Sequence, residues 1–146
     1  MKRLMILAFA ILALVLTANA SEDKPISFEQ LPKTAQQFIK THFADRTISL
    51  AKMDSDIIGK SYDVIFSNGD KLEFNSKGVW TTVECGYSVV PDAVVPAQIL
   101  SYIKKNYPNI TIRKIDKEDR GGYEVELSNN LDLKFNSSYK LVDIDS

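Results

Sequence analysis

The residues with the clearest capacity for chemistry are a single cysteine, Cys85, and a single histidine, His42. A catalytic thiol needs a lowered pKa and a nearby base, but His42 is far from Cys85 in sequence and falls on a predicted helix. We expect Cys85 to be a small, half-buried residue, with an intermolecular disulfide as the alternative, and His42 to lie at the surface. No zinc-ligand spacing, phosphate-binding loop or nucleophile motif occurs in the sequence. The sequence therefore predicts neither an enzyme nor a bound cofactor.

Carboxylates are numerous but scattered along the chain. The segment Asp54-Ser55-Asp56-Ile57-Ile58-Gly59 begins like a calcium-binding loop, yet it lacks the ligands required at the fifth and twelfth positions. We interpret it as a solvated hairpin tip, and residues 117–122 as the equivalent tip later in the chain. Glu124, Glu126 and Asp132 are expected on the outer face of a sheet, as an acidic patch or as a solvated face that discourages aggregation. No metal site is predicted.

The first twenty residues have the three parts of a secretory signal peptide. Lys2 and Arg3 precede an apolar run over residues 4–17, and Ala18-Asn19-Ala20 then provides a cleavage pattern before Ser21. The run is shorter than the roughly 20 residues that span a bilayer, which disfavours an uncleaved anchor. We expect a periplasmic or secreted protein with no membrane insertion after signal cleavage. Residues 21–146 carry 16 Lys and Arg against 19 Asp and Glu, and this mildly acidic balance argues against nucleic-acid binding.

The sequence contains an internal repeat. The first parts of the two units match at a spacing of 64 and the later parts at a spacing of 61, so the first unit has three extra residues between Met53 and Tyr62. The matched segments are Leu31-Pro32 with Val95-Pro96, Phe38 with Tyr102, Ile48 with Ile112, Tyr62-Asp63-Val64 with Tyr123-Glu124-Val125, and Leu72-Glu73-Phe74 with Leu133-Lys134-Phe135. This agreement predicts a tandem duplication, with repeats at residues 21–86 and 87–146.

Each unit is predicted to be a helix followed by a four-stranded antiparallel meander. The helices begin at Pro32 and Pro96 and carry apolar residues at helical spacing. Apolar and alternating segments predict strands at 47–53, 62–66, 72–74 and 79–84, and at 110–115, 123–127, 133–135 and 140–145. Since each helix must cover the apolar face of its sheet, the expected fold is α+β, with one joined sheet and both helices on one face.

Two turns and one connection complete this arrangement. Asn68-Gly69 predicts a type I′ hairpin turn, and Asn129-Asn130 takes its place in the second unit. Residues 85–94 are too apolar for a flexible linker, and we expect them to pack between the two units.

These features together resemble the PepSY-like, β-lactamase-inhibitor-like proteins secreted by Bacteroidetes-type bacteria. The resemblance rests on the Leu31-Pro32 helix start, the Tyr-x-Val strand at Tyr62, the Asn68-Gly69 hairpin and the tandem duplication after a signal peptide. It covers nearly the whole mature chain. It implies a tandem helix-plus-four-strand fold like that of β-lactamase inhibitor protein, an exported location, and a role in binding or inhibiting another protein. The chain lacks the disulfides of that inhibitor, since Cys85 is its only cysteine.

The residues expected to bind a partner lie on the sheet face opposite the helices. If Val83 and Ile144 point to the core, their neighbours point outward and leave an apolar strip, which suggests an interaction surface. The candidate residues are Trp80, Thr82, Ile65 and Leu141, together with the turns Asn68-Gly69 and Asn129-Asn130. Core packing is the alternative for Trp80.

The predicted function is that of a non-enzymatic exported module that binds or inhibits an unidentified periplasmic or extracellular protein. One alternative is a small-ligand carrier or sensor with a pocket between the repeats, lined by residues 87–95. Self-association through free sheet edges is another.

Overall fold

The structure is a computed structural model and describes residues 22–146. The predicted signal peptide, residues 1–20, lies outside the described residues. Within residues 22–146, neither α-helix combines the length and the apolar character that a membrane crossing requires.

Two ten-residue helices and nine strands make up the described part of the chain. The helices are α1 (Lys33–His42) and α2 (Ala97–Asn106). The strands are β1 (Glu22–Ile26), β2 (Ile48–Ser55), β3 (Lys60–Phe66), β4 (Lys71–Phe74), β5 (Trp80–Glu84), β6 (Ile112–Lys117), β7 (Tyr123–Leu127), β8 (Asp132–Phe135) and β9 (Leu141–Asp145). Short 3₁₀ turns at Phe28–Gln30 and Asp92–Val94 precede the two helices. All eight predicted strands are present, with ends displaced by two residues at most.

Each helix starts directly after a proline. Pro32 and Pro96 are the capping residues of α1 and α2, one position outside the first turn in which they were predicted. The missing N–H of proline costs little there, because the first N–H groups of a helix have no partner within it. Gln36 is buried in α1, and its amide donates to the carbonyl oxygens of Leu31 (2.8 Å) and Glu29 (3.2 Å), which ties the preceding turn to the helix.

The nine strands form one antiparallel sheet in chain order, from β1 to β9. The two halves join where β5 pairs with β6, with Thr82 opposite Asp116 and Val83 opposite Ile115. Strand β1, at the edge beside β2, was not predicted. Its sequence is charged and contains Pro25, a composition that strands avoid except at edges. Pairing with β2 therefore stabilises β1 as a strand, although the low strand propensity of its residues disfavours that conformation.

One core joins both helices to a single face of the sheet. Its centre is a row of cross-strand partners, buried except near the two edges: Ile26, Ala51, Val64, Leu72, Val83, Ile115, Val125, Leu133 and Ile144. Phe38 of α1 contacts Phe74 edge-on at a centroid distance of 5.7 Å, and Tyr102 of α2 contacts Phe135 in the same way at 5.7 Å. Both helices thus cover the same face, and the other face is open.

The two halves share irregularities as well as elements. The strand register shifts once at each of four places: Ile48/Leu50, Ile112/Lys114, Glu73/Phe74 and Lys134/Phe135. The first two shifts occupy equivalent positions in β2 and β6, and the last two in β4 and β8. Because bulges change which face a side chain occupies, these positions decide where the candidate residues lie.

Candidate functional site

Cys85 and His42 do not form a reactive pair. The Cys85 side chain is buried, and burial raises the pKa of its thiol to about 11. The nucleophilic thiolate is therefore scarce at neutral pH. His42 lies in the last turn of α1, with its ring 4.8 Å from the Phe38 ring. Cys85 is a core residue, buried more deeply than predicted, and its burial opposes an intermolecular disulfide.

Trp80 lies on the helix side of the sheet and not on the open face. The register between β4 and β5 shifts after Glu73, which places Trp80 opposite Phe74 and breaks the alternation expected from Val83. The indole ring is 6.3 Å from the Phe38 ring of α1. Trp80 therefore takes the core-packing alternative and does not contribute to an outward apolar strip, because a β-bulge reverses the face of its side chain.

Leu141 repeats this arrangement at the other end of the sheet. The equivalent shift between β8 and β9 places Leu141 opposite Phe135, where it packs against the core. Only Thr82 and Ile65 of the predicted strip face outward. Thr82 donates through its hydroxyl to Asp116 Oδ1 at 2.6 Å, and Ile65 pairs with Leu50. Of the predicted strip, Ile65 is thus the one apolar side chain on the open face.

The open face in the first half is covered by interlocking charges. Lys52 Nζ lies 3.1 Å from an oxygen of Asp23 and 3.8 Å from Asp63, while Lys71 Nζ lies 3.0 Å from Glu73 and 3.8 Å from Asp63. Asp63 is shared by two lysines, yet burial raises the pKa of its carboxyl. Partly exposed pairs of this kind contribute little stability individually, and they keep this face hydrated.

The open face in the second half is acidic. Glu124, Glu126 and Asp132 lie together as expected, and with Lys114 and Asp116 they line a depression of about 220 Å³. Lys114 Nζ is 3.6 Å from Asp116. Burial raises the pKa of Glu124, and neighbouring carboxylates add to this effect while Lys134 opposes it. One lysine among four carboxylates leaves the depression with a net negative charge.

The turn after β3 encloses a buried charge, Asp70. Its carboxylate accepts hydrogen bonds from Arg46 Nη1 (2.7 Å), the Asn68 amide (3.0 Å), the Tyr87 N–H (3.2 Å) and the Ser88 hydroxyl. Burial by itself would raise the pKa of Asp70, but these hydrogen bonds outweigh burial and hold the pKa below its usual value. We call these five residues the Asp70 cluster. The cluster fastens the loop after α1, the turn after β3 and the connection between the halves to one another.

This turn differs in type from the predicted one. A type I′ turn needs positive φ at both central residues, but Gly69 has a φ of +95° while Asn68 does not have a positive φ. The Tyr87 ring lies against the turn, so a Cβ placed on Gly69 would be 2.7 Å from it. One side of the predicted binding turn is therefore already covered by the chain itself.

The turn at Asn129-Asn130 lies at the same end of the sheet but is open to solvent. Asn130 adopts a φ of +68°, in the position that Gly69 occupies in the first half. Asn129 Oδ1 accepts a hydrogen bond from the Leu131 N–H at 3.3 Å. Both binding turns proposed from the sequence are thus found at one end of the molecule, one covered and one free.

The hairpin between β2 and β3 presents two isoleucines to solvent. Ile57 and Ile58 have relative exposures of 106% and 96%, which places both side chains entirely in water. Asp56 Oδ1 accepts hydrogen bonds from the N–H groups of Ile58 (2.8 Å) and Gly59 (3.1 Å), so the tip has a defined turn. The predicted solvated tip is confirmed, but Ile57 and Ile58 were not among the candidate residues, although two adjacent isoleucines between turn residues were visible in the sequence.

A small groove lies beside the connection between the halves. It has a volume of about 160 Å³ and is lined by Val89, Val90, Leu100, Ile103 and Ile112, among others. Sites for small organic ligands usually measure roughly 300–1,000 Å³. The groove is in the region that the carrier hypothesis named, but its size does not favour that hypothesis.

These features define a class of small α+β proteins in which two helices cover one face of a long antiparallel meander. The model of the family described as "Putative beta-lactamase-inhibitor-like, PepSY-like" matches residues 60–143. The chain belongs to this family, as its sequence features indicated. None of the curated proteins matches it.

Three of the similar solved structures come from two Bacteroides species. A "putative periplasmic protein" of the DUF2874 family from Bacteroides vulgatus is 54% identical, with a TM-score of 0.82 over 86% of this chain and 98% of that chain. A "putative calcium-regulated periplasmic protein" from Bacteroides thetaiotaomicron is 50% identical, with a TM-score of 0.82 over 85% of this chain and 97% of that one. A third, from Bacteroides vulgatus, is 32% identical, with a TM-score of 0.79 over 86% of this chain and 100% of that one. All three are described as periplasmic, which confirms the predicted location, and none is described as an enzyme.

Proposed function

We propose that this chain is a non-enzymatic exported module that binds or inhibits a protein partner. The observation that carries the proposal is the exposed pair Ile57 and Ile58 on an ordered hairpin tip. Neither side chain belongs to the core cluster, so folding does not account for them. Apolar side chains that protrude into water are typical of surfaces that become buried in a complex.

The equivalent tip in the second half shows that the hairpin does not need apolar residues. Asp119 and Arg120 occupy the tip between β6 and β7. Its backbone is closed by a hydrogen bond from the Glu118 N–H to the Gly122 carbonyl (2.8 Å), as Asp56 closes the first tip with Gly59 (3.0 Å). Isoleucines at the first tip are therefore a property of that tip and not of the fold.

Charged residues on the open sheet face would surround the apolar anchor formed by Ile57 and Ile58. The acidic depression of the second half and the mixed charges of the first would form a polar rim. A stable complex of ordinary size covers roughly 800 Å² on each partner. The partner is expected to offer an apolar pocket for Ile57 and Ile58 beside a basic surface.

A non-catalytic role is supported by the chemistry of the two most reactive residue types. The Cys85 thiol is buried and has a raised pKa, and His42 is packed against Phe38 at the end of α1. The family description and the similar structures also name no enzyme.

We further infer that the two halves arose by duplication of one helix-plus-four-strand unit. The inference is supported by the sequence matches at spacings of 64 and then 61, and by the paired register shifts of β2 with β6 and of β4 with β8. On this view the tips at residues 56–59 and 118–122 are diverged copies, and only the first became an anchor.

Calcium regulation, named for one relative, is not carried over to this chain. Asp23 and Asp54 face each other across β1 and β2, and one Asp54 oxygen is buried without a hydrogen-bond partner. Calcium takes six to eight oxygen ligands, but within residues 22–146 no group of three or more His, Cys, Asp or Glu residues is arranged to hold a metal ion. The donors present do not fit a calcium site.

The experiment that tests the proposal compares three purified baits that span residues 21–146. They are the wild-type chain, the variant Ile57→Ser/Ile58→Ser and the matched control Asp119→Ser/Arg120→Ser at the other tip. Each is crosslinked to periplasmic and outer-membrane extract of the host, and the recovered proteins are identified by mass spectrometry.

The proposal expects one protein that is recovered with the wild type and the control but lost with the isoleucine variant. That protein, once purified, should bind the isoleucine variant about 30-fold more weakly, since loss of a central anchor costs about 2 kcal/mol or more. Equal recovery with all three baits, or no specific protein with any, would remove the hairpin tip as the binding site.

A further inference from the structure

Between Met53 and Leu141, a row of side chains on the helix side of the sheet is apolar or aromatic at every position but one, which is a lysine. The row lies at the end of the sheet that carries the Ile57-Ile58 tip, because the turns after β2, β4, β6 and β8 all occupy that end of an antiparallel meander. Its members, in order across the strands, are Met53, Tyr62, Phe74, Trp80, Lys117, Tyr123, Phe135 and Leu141, and the exposed Lys24 of the edge strand β1 lies beyond Met53. Lys117 sits at the junction between the two halves.

Lys117 is held against an aromatic ring and has no acidic partner. Its Nζ lies 4.1 Å from the centroid of the Trp80 ring. Four other lysines are each paired with a carboxylate, at distances of 2.9–3.6 Å: Lys52, Lys71, Lys104 and Lys114. Within residues 22–146 no carboxylate pairs with Lys117, and burial lowers the pKa of its amine. A half-buried ammonium without a counter-ion is unfavourable for the folded chain alone.

The first half shows that the fold itself does not require a lysine here. At the spacing of 64 that matches Ile48 with Ile112, the counterpart of Lys117 is Met53. Met53 is the cross-strand partner of Tyr62, just as Lys117 is the partner of Tyr123. An apolar side chain therefore satisfies this position, and the charge at Lys117 needs another explanation.

The surroundings of Lys117 are aromatic and open to solvent on one side. The Phe38 ring lies 6.3 Å from Trp80, and the Tyr123 ring lies 5.7 Å from the ring of Tyr139, which is itself exposed. Trp80 and Lys117 are each partly exposed. A cation at the centre of accessible aromatic surface offers two kinds of contact at once: an ion pair and an apolar platform.

We propose that Lys117 and Trp80 form a binding site for a small amphipathic anion, a molecule with one carboxylate or sulfonate group and an apolar body. The anionic group pairs with the Lys117 ammonium. The apolar body lies on the indole of Trp80 and extends over Phe38 or Tyr123. This site is separate from the hairpin tip and does not rest on the proposed function.

The experiment uses decanoate as the probe and Trp80 as the reporter, since Trp80 is the only tryptophan in the chain. Residues 21–146 are titrated with decanoate below its micellar concentration, with fluorescence and calorimetry as independent readouts. Decanol is the matched ligand without a charge. Lys117→Met installs the residue of the first half, and Lys134→Met on the open face is the matched control.

The expected result is saturable decanoate binding that changes Trp80 fluorescence, with decanol at least about tenfold weaker, as the loss of one charge-assisted contact implies. Lys117→Met should weaken decanoate by a similar factor and leave decanol unchanged, while Lys134→Met should bind like the wild type. Circular dichroism on heating verifies that both variants fold. The proposal is overturned if decanoate does not saturate, if decanol binds equally well, or if Lys117→Met keeps the wild-type affinity measured by calorimetry.

Discussion

The two halves of the molecule have the same elements but differ at corresponding turns. The first half closes the turn after β3 around the buried carboxylate of Asp70, with Arg46 as its ion-pair partner. At the matching positions the second half has Leu131 and Ile110, which pack against the core. The equivalent turns after β3 and β7 are thus stabilised differently, the first by a cluster of charged and polar groups and the second by apolar contacts.

The position of each half in the chain accounts for this difference. The first half is followed by the connection that leads to α2, and the Asp70 cluster binds that connection through Ser88 and the Tyr87 N–H. The second half ends with β9, and its equivalent turn at Asn129-Asn130 is exposed to solvent. We therefore interpret the Asp70 cluster as the set of contacts that holds the two halves together. The turn at Asn129-Asn130 is the equivalent turn, in which Leu131 and Ile110 replace Asp70 and Arg46.

The largest expected effect comes from breaking this cluster at its centre. Asp70→Ala removes the acceptor of four hydrogen bonds and leaves Arg46 partly buried without its partner. The free energy of unfolding should fall by about 3–5 kcal/mol, as it does when one member of a buried pair is removed. Urea unfolding of residues 21–146, followed by circular dichroism, measures this loss.

The double variant Arg46→Ile/Asp70→Leu tests whether the two turns are interchangeable, because it gives the first half the residues found at the matching positions of the second. Because both charges are removed together, no buried charge remains unpaired. The free energy of unfolding should therefore fall by less than it does for Asp70→Ala. A double variant that is as unstable as Asp70→Ala would show that the two turns are not interchangeable.

The glycine of the same turn provides the second prediction. Gly69→Ala should lower the free energy of unfolding by about 2 kcal/mol, because alanine is strained at a φ of +95° and its Cβ would meet the Tyr87 ring. Asn130→Gly, at the equivalent position of the second half, should change stability by less than about 1 kcal/mol. Equal effects at the two positions would contradict the packing of Tyr87 on the first turn.

Acid should weaken the first half through the same carboxylate. The pKa of Asp70 is lower in the folded chain than its usual value, so its contribution to stability is present above about pH 4 and is lost as pH falls through the lower, folded value. A protonated Asp70 keeps some of its hydrogen bonds, so the loss should be smaller than that caused by Asp70→Ala. Unfolding curves of the wild type and Arg46→Ile/Asp70→Leu should therefore converge below pH 4, and curves that stay parallel would refute this assignment.

The smallest expected effect is at the hairpin tips. Ile57→Ser/Ile58→Ser should leave the free energy of unfolding within about 0.5 kcal/mol of the wild type, because both side chains are fully exposed. Asp119→Ser/Arg120→Ser should behave in the same way. A clear loss of stability at Ile57 or Ile58 would mean that these side chains pack in the isolated protein and are not free for a partner.

The helices and strands were predictable from the sequence because their apolar periodicity is set by burial on one face. That pattern left it open whether Val83 or Trp80 faces the core. Both side chains lie on the covered face, because the register shift after Glu73 inserts a residue between them. Strand β1 was missed for a related reason: its pairing with β2 overrides the local preference of a segment that contains Pro25.

The candidate site was less predictable than the fold. Turn residues indicated the hairpin at Asn68 and Gly69, but only the folded chain brings Arg46 and Ser88, distant in sequence, to the carboxylate of Asp70. The significance of Lys117 likewise depends on a contact between β5 and β6, which local periodicity does not encode. Contacts between segments distant in sequence, and not the elements themselves, define the functional surfaces.

We propose that the first hairpin tip contacts a partner while the second does not. The most direct test places a photo-crosslinking residue, p-benzoylphenylalanine, at position 58 or at position 119 of the full-length protein in its living host. We expect one discrete crosslinked protein from position 58 and none from position 119. No crosslink from position 58, or the same crosslinks from both positions, would contradict it.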